Sequence, residues 1–145
     1  MKERSRARGW AVQTLYAWET RGGSEDAIVP ILAELTEQNL VSQRNRLYTE
    51  VLVRIFAGKS AEIDALIGRY LINWTLSRLS VIDRSILRIG VAELLHVDDI
   101  PPEVTIREMV RIAERYGTND SPRFVKGVLE AVARGLEDGG ATGAR

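Results

Sequence analysis

Cysteine is missing altogether, and histidine occurs once in 145 residues. The first absence excludes disulfides, thiolate metal sites and thiol nucleophiles. The second excludes a paired-imidazole metal site or acid-base pair, so His96 reads as an ordinary residue near a helix end. Long apolar runs are lacking too. None approaches the roughly 18 to 20 residues that crossing a bilayer requires, and the basic, polar N-terminus has no apolar signal region behind it. A cytoplasmic chain with no membrane attachment is expected. Gly22-Gly23 and Gly139-Gly140 lack the flanking strand and the Lys-Ser/Thr of a phosphate-binding loop, and read as punctuation. The paired carboxylates Asp98-Asp99 and Glu25-Asp26 fit solvated loops and helix starts better than a metal site. No metal, cofactor or catalytic constellation is expected, and the chain reads as a non-enzyme.

What is present is an ordinary soluble balance, 45% hydrophobic and 28% charged, in a length suited to one domain. Basic and acidic side chains cancel at 20 each, which argues against indiscriminate coating of nucleic acid. Their placement is uneven. Residues 1–9 carry Lys2, Arg4, Arg6 and Arg8 against Glu3, so the other 136 residues sum to −3.

Apolar residues recur at helical spacing nearly throughout, so an all-α bundle of six or seven helices is expected, with no strands. The first helix is expected from about Ser5 to Thr20, with Lys2–Arg4 frayed and Ala7, Ala11, Thr14, Leu15 and Trp18 on its inner stripe. Gly22-Gly23 stops it. Pro30 suits the first turn of the second helix. Ser42 opens a third, which Gly58 is expected to end in the left-handed conformation before Ser60 caps a fourth. Ser80 with Asp83 forms a weak capping box for the most apolar, and therefore central, helix. After Pro101-Pro102, Thr105 with Glu108 reads as a better capping box for a helix ending at Gly117, and Ser121-Pro122 starts the last. Residues 1–136 form the folded domain; 137–145 (EDGGATGAR) have nothing to bury and are expected to be disordered.

Opposite the inner stripe of the first helix, Arg6, Gly9, Gln13 and Tyr16 share one face, which Lys2 would extend. Arginine neutralises phosphate, glutamine bonds base edges and an aromatic ring stacks on an unpaired base. That face fits single-stranded RNA, and it equally fits a solvated basic helix end. Phe124, between Arg123 and Lys126 at a helix start, reads either as a partly buried core aromatic or as part of an anion-favouring site.

Three blocks resemble the NusB family. RSRARGWAVQTLYAWE, from Arg4, is similar to its arginine-rich lead and A-x-Q-x-L-Y core. WTLSRLSVIDRSILRIGVAELLHVDDIPPEVTIREMVRIAERYG follows its R-L-x-x-x-D-R-x-I-L-R-x-x-x-x-E-L pattern and continuation, and DSPRFVKGVLEAV is similar to its D-S-x-x-F-V-N-G-V-L-D. The resemblance implies two helical subdomains. It also implies a transcription antitermination factor that binds the boxA RNA of ribosomal RNA leaders jointly with ribosomal protein NusE, in an RNA polymerase antitermination complex. It further implies RNA contacts by Arg4, Arg6, Arg8, Gln13, Asp120 and Phe124, and partner contacts by Tyr16 and Asp83; it admits homodimers as well as monomers. Gly9 and Lys126 depart from the family pattern, where Glu or Lys and Asn are usual; Lys126 could add a phosphate contact. Two other readings are an accessory domain like that of ribosomal RNA cytosine methyltransferases, here without their cofactor loop or catalytic cysteines, and a helical protein-interaction module without RNA.

Overall fold

Helix α1 spans Lys2–Thr20 and ends at Gly22 and Gly23, whose φ angles of 111° and 68° are ones that L side chains rarely adopt. The computed structural model describes residues 2–38 and 42–141. The backbone of Lys2–Arg4 is helical rather than frayed. A 3₁₀ turn at Glu25–Ala27 runs straight into α2 (Ile28–Gln38), and Pro30 sits in its first turn, where a missing N–H costs no intrahelical bond.

Helix α3 (Gln43–Arg69) starts as expected, with Ser42 Oγ accepting from the Asn45 N–H. Its far end corrects the sequence reading: Gly58 does not stop it, and the expected separate helix from Ser60 is its continuation past a kink at Lys59 (φ −129°, ψ 24°). The reason is packing. Phe56 and Ile63 lie two turns apart, both buried, so the chain gains by keeping one apolar face across the kink. Asn73 takes a positive φ in the following loop, and a 3₁₀ turn covers Leu76–Arg78.

Helix α4 (Val81–His96) begins where Ser80 Oγ accepts from the Asp83 N–H. It is central, as its composition implies: Ile86, Leu87, Ile89 and Val91 are fully buried, and it packs on α1, α3, α5 and α6. Here α5 spans Pro102–Tyr116 and α6 spans Ser121–Ala141. At Gly90 an added Cβ would lie 3.1 Å from side-chain atoms of Leu129 and Met109, so α5 and α6 approach α4 across a position with no side chain. The helices α1, α2 and α3 pack on one another, as do α4, α5 and α6, and contacts of α4 with α1 and α3 join the two groups. Among the described residues there is no strand. Helix α6 continues past Leu136, so the expectation of disorder from Glu137 is corrected through Ala141; residues 142–145 lie outside the described ones.

The arginines of the D-R-x-I-L-R segment hold this junction. Arg88 forms two 2.9 Å bonds to the Asp64 carboxylate on α3 and one of 2.7 Å to Glu19 on α1. Arg84 pairs with the same Glu19 and donates to the carbonyls of Leu76 and Leu79 at 3.0 and 2.8 Å. Burial, and then the neighbouring Arg88 charge, lower the pKa of Arg84. Charged side chains thus clamp three segments where sequence alone would put them in water.

Candidate nucleic-acid interface

The inner face of α1 is the expected one: Ala7, Ala11, Thr14, Leu15 and Trp18 are all buried. Arg8 joins them, only 3% exposed. Its Nε bonds both Glu93 oxygens, at 2.8 and 3.1 Å, and a second nitrogen lies 3.7 Å from Glu108. The Tyr48 hydroxyl donates to the same Glu93 carboxylate, and so does Thr105 Oγ at 2.6 Å. Two expectations fall here. Arg8 has no exposed donor face for phosphate, because its charge is committed to two buried carboxylates. Thr105 and Glu108 are not a capping box: α5 begins a turn earlier, at Pro102, and both side chains turn inward. Four helices meet in this cluster, with α1 supplying Arg8, α3 Tyr48, α4 Glu93 and α5 the other two.

The outer face also lies as expected. Arg6 and Tyr16 are exposed, and Gly9 and Gln13 are half-buried. Gln13 bonds the Tyr116 hydroxyl at 3.4 Å, which brings the end of α5 alongside α1. Between the two helices runs a cleft of about 400 Å³ lined by Arg6, Gly9, Trp10 and Gln13 from α1 and by Arg111, Arg115 and Tyr116 from α5. Arg4, at the start of α1, lies over the Tyr48 ring at 4.6 Å and reaches Asp99 at 3.4 Å. It remains 40% exposed, so its weak tie to Asp99 is open to exchange for a phosphate.

Sequence reasoning missed the α5 arginines and Trp10. A signal existed, since Arg107, Arg111 and Arg115 recur every four residues and must share a helix face. What the spacing does not give is the orientation of that face toward Arg6.

A second cleft of about 530 Å³ shares Trp10, Gln13 and Tyr116 with the first and is lined also by Tyr16, Ala17, Leu35 and Ile82. Asp83 is the next residue after Ile82. Its Oδ1 is enclosed and accepts no hydrogen bond, so the capping box is completed in one direction only. Tyr16 and the start of α4 therefore border one groove.

Asp120 is exposed in the turn before α6, and its carbonyl accepts the Phe124 N–H at 3.1 Å. Phe124 is half-buried and packs against the core. Lys126 is exposed beside Arg107 and Arg111 in a further groove, on the far side of α5 from Arg6. Among the described residues no cluster of His, Cys, Asp or Glu could hold a metal ion, and no helix is long and apolar enough to cross a membrane.

Residues 5–134 match the model of the NusB family. The chain is 39% identical over 132 residues to the transcription antitermination protein NusB of Streptomyces coelicolor, covering 89% of this chain and 91% of that protein. It is 37% identical to the protein of the same name from a Nocardioides species, covering 92% and 96%. Among solved structures, T. maritima NusB superposes with a TM-score of 0.78 at 38% identity, covering 90% of each chain. A chain from a crystal structure of antitermination factors NusB and NusE with double-stranded RNA superposes at 0.84 with 29% identity, covering 93% of this chain and 98% of that one. Sequence and fold agree over nearly the whole described length, and the chain belongs to the NusB family.

Proposed function

We propose that this protein is a cytoplasmic transcription antitermination factor, not an enzyme, that binds boxA-type single-stranded RNA jointly with NusE as part of an RNA polymerase antitermination complex. The observation that carries this is the outer face of α1, cationic at Arg6 and aromatic at Tyr16, in a fold solved elsewhere with NusE and RNA, with Arg4 partly exposed at the helix start. Arg4, Arg6 and Lys126 neutralise phosphates, Gln13 and Asp120 bond base edges, and Phe124 stacks from the start of α6. Tyr16 and Asp83 form the partner surface, where an acidic side chain at the start of α4 and an aromatic ring on α1 suit a basic protein. A protein of zero net charge makes few phosphate contacts, so it binds RNA modestly alone and gains affinity from NusE.

Calorimetric titrations of boxA-type and scrambled RNA, with and without NusE, test this. NusE is expected to tighten boxA binding, and RNA to tighten NusE binding by the same factor, as thermodynamic linkage demands. Equal affinity for both RNAs, or RNA affinity indifferent to NusE, would refute joint recognition.

A further inference from the structure

The proposed RNA contacts of Arg6 and Gln13 leave the rest of the cleft between α1 and α5, lined by Gly9, Trp10, Arg111, Arg115 and Tyr116, without a role. Gly9 sits in mid-helix, where glycine is the costliest residue after proline. Nothing in the protein requires it: a Cβ there would meet no atom within 4 Å. Gly58 and Gly127 meet open space as well, but on exposed helix surfaces, whereas Gly9 is half-buried and lines the open cleft between α1 and α5. Beside it stands Trp10, half-buried and lining both this cleft and the adjoining apolar one. A tryptophan left partly uncovered at the junction of two grooves offers a ring face for stacking. Gln13 and the Tyr116 hydroxyl, already 3.4 Å apart, provide donors and acceptors at one end. Exposed cations surround the opening: Arg6 on one wall, Arg111 and Arg115 on the other.

We infer that this cleft is a nucleotide pocket that receives one unstacked base of the bound RNA. The base lies over Gly9 and stacks on Trp10, and its edge meets Gln13 and Tyr116. Arg6, Arg111 and Arg115 hold the phosphates on either side. A cleft with aromatic and amide groups inside and arginines outside has the chemistry of single-strand recognition, in which stacking and edge contacts select an extruded base. Glu108, which also lines the cleft, is buried and paired with Arg8 and, at 3.5 Å, with Arg111, whose side chain remains 66% exposed and so can still reach a phosphate. The inference rests on the RNA-binding reading above and adds a pocket to it.

The test uses the full chain with NusE and boxA-type RNA, its three tryptophans carrying a fluorine label and Trp10→Phe assigning the resonance. RNA is expected to shift the Trp10 resonance and leave that of Trp18, which is buried, in place. Gly9→Leu fills the pocket with a better helix former, so the variant folds at least as well. It is expected to lose about five- to a hundred-fold in RNA affinity, the range set by one base–aromatic stack, and to abolish the Trp10 shift. Gly58→Leu, on an exposed surface of α3 outside the proposed RNA contacts, leaves both unchanged. RNA that binds wild type and Gly9→Leu equally, with Trp10 unmoved, overturns the pocket and leaves the RNA-binding function standing. Wild-type protein that binds no RNA with NusE present removes both.

Discussion

Two arginines two positions apart on α1 have opposite fates, and the difference is one of helix geometry. Arg6 and Arg8 lie about 200° apart around a helix axis, so Arg8 faces the core when Arg6 faces water. Arg8→Ala leaves the buried Glu93 carboxylate without its cation, an arrangement that costs about 3 to 5 kcal/mol. Denaturant unfolding is expected to register that loss. Arg6→Ala is expected to leave the unfolding midpoint in place and instead lower the salt dependence of RNA binding by about 0.7 log–log unit. A stable Arg8→Ala protein would mean that the cluster is not structural.

Tyr48 belongs to the same cluster and makes a pH-dependent contribution. Burial first, and then its hydrogen bond to the Glu93 carboxylate, hold the phenol above its ordinary value of 10.0. Because the folded value is raised, the folded state holds its proton more tightly than the unfolded state does. The associated stability is complete below pH 10 and is lost as the pH rises beyond it. The difference in unfolding free energy between wild type and Tyr48→Phe is expected to stay constant to about pH 10 and shrink above it. A difference that grew with pH would reverse the assignment.

At the scale of elements, local signals were reliable wherever the partner of a group is itself local. The Ser42 and Ser80 caps and the Gly22-Gly23 stop involve atoms within a few residues, and they are where the sequence puts them. Gly58 and the Thr105–Glu108 pair were misread because distant residues decide them: the face joining Phe56 to Ile63 carries α3 past Gly58, and Glu93 draws Thr105 inward. Packing of α4 gives a prediction here. Gly90→Ala sets a methyl 3.1 Å from Leu129 and Met109 and is expected to cost about 1 to 3 kcal/mol by overpacking, despite its better helix propensity. A thermal midpoint raised by Gly90→Ala would mean that α5 and α6 yield freely. Phe124→Ala removes a half-buried ring packed against the core and the proposed base contact, and is expected to lower both the melting temperature and, by about 1 to 3 kcal/mol, RNA affinity. Loss of stability with unchanged affinity would make Phe124 a core residue only.

For the molecule as a whole, the balance of charges matters less than their sorting into buried clamps and an exposed track. Asp83 lies at the edge of that track, next to the groove that contains Tyr16. Its backbone N–H, not its side chain, makes the observed cap bond with Ser80. Asp83→Lys is therefore expected to change stability by no more than about 1 kcal/mol while weakening NusE binding by a larger amount, since it sets a cation against a basic partner. Comparable losses in unfolding and in NusE titration would reduce Asp83 to a structural residue.

The sequence by itself determined the helical class, the most apolar helix as the centre, the inner stripe of α1 and, through three motif blocks, the family. Each of these is a matter of period, local capping or residue order, all readable along one dimension. Only the tertiary structure decided which charges are structural and which are free. Arg8, Arg84, Arg88, Glu93, Thr105 and Glu108 look like surface residues until their partners, from 3 to 100 positions away, are brought within bonding distance. The cleft between α1 and α5 is decided in the same way. Trp10 and Arg115 belong to segments a hundred residues apart, and a cavity exists only where the packing of α1 and α5 on α4 holds them side by side.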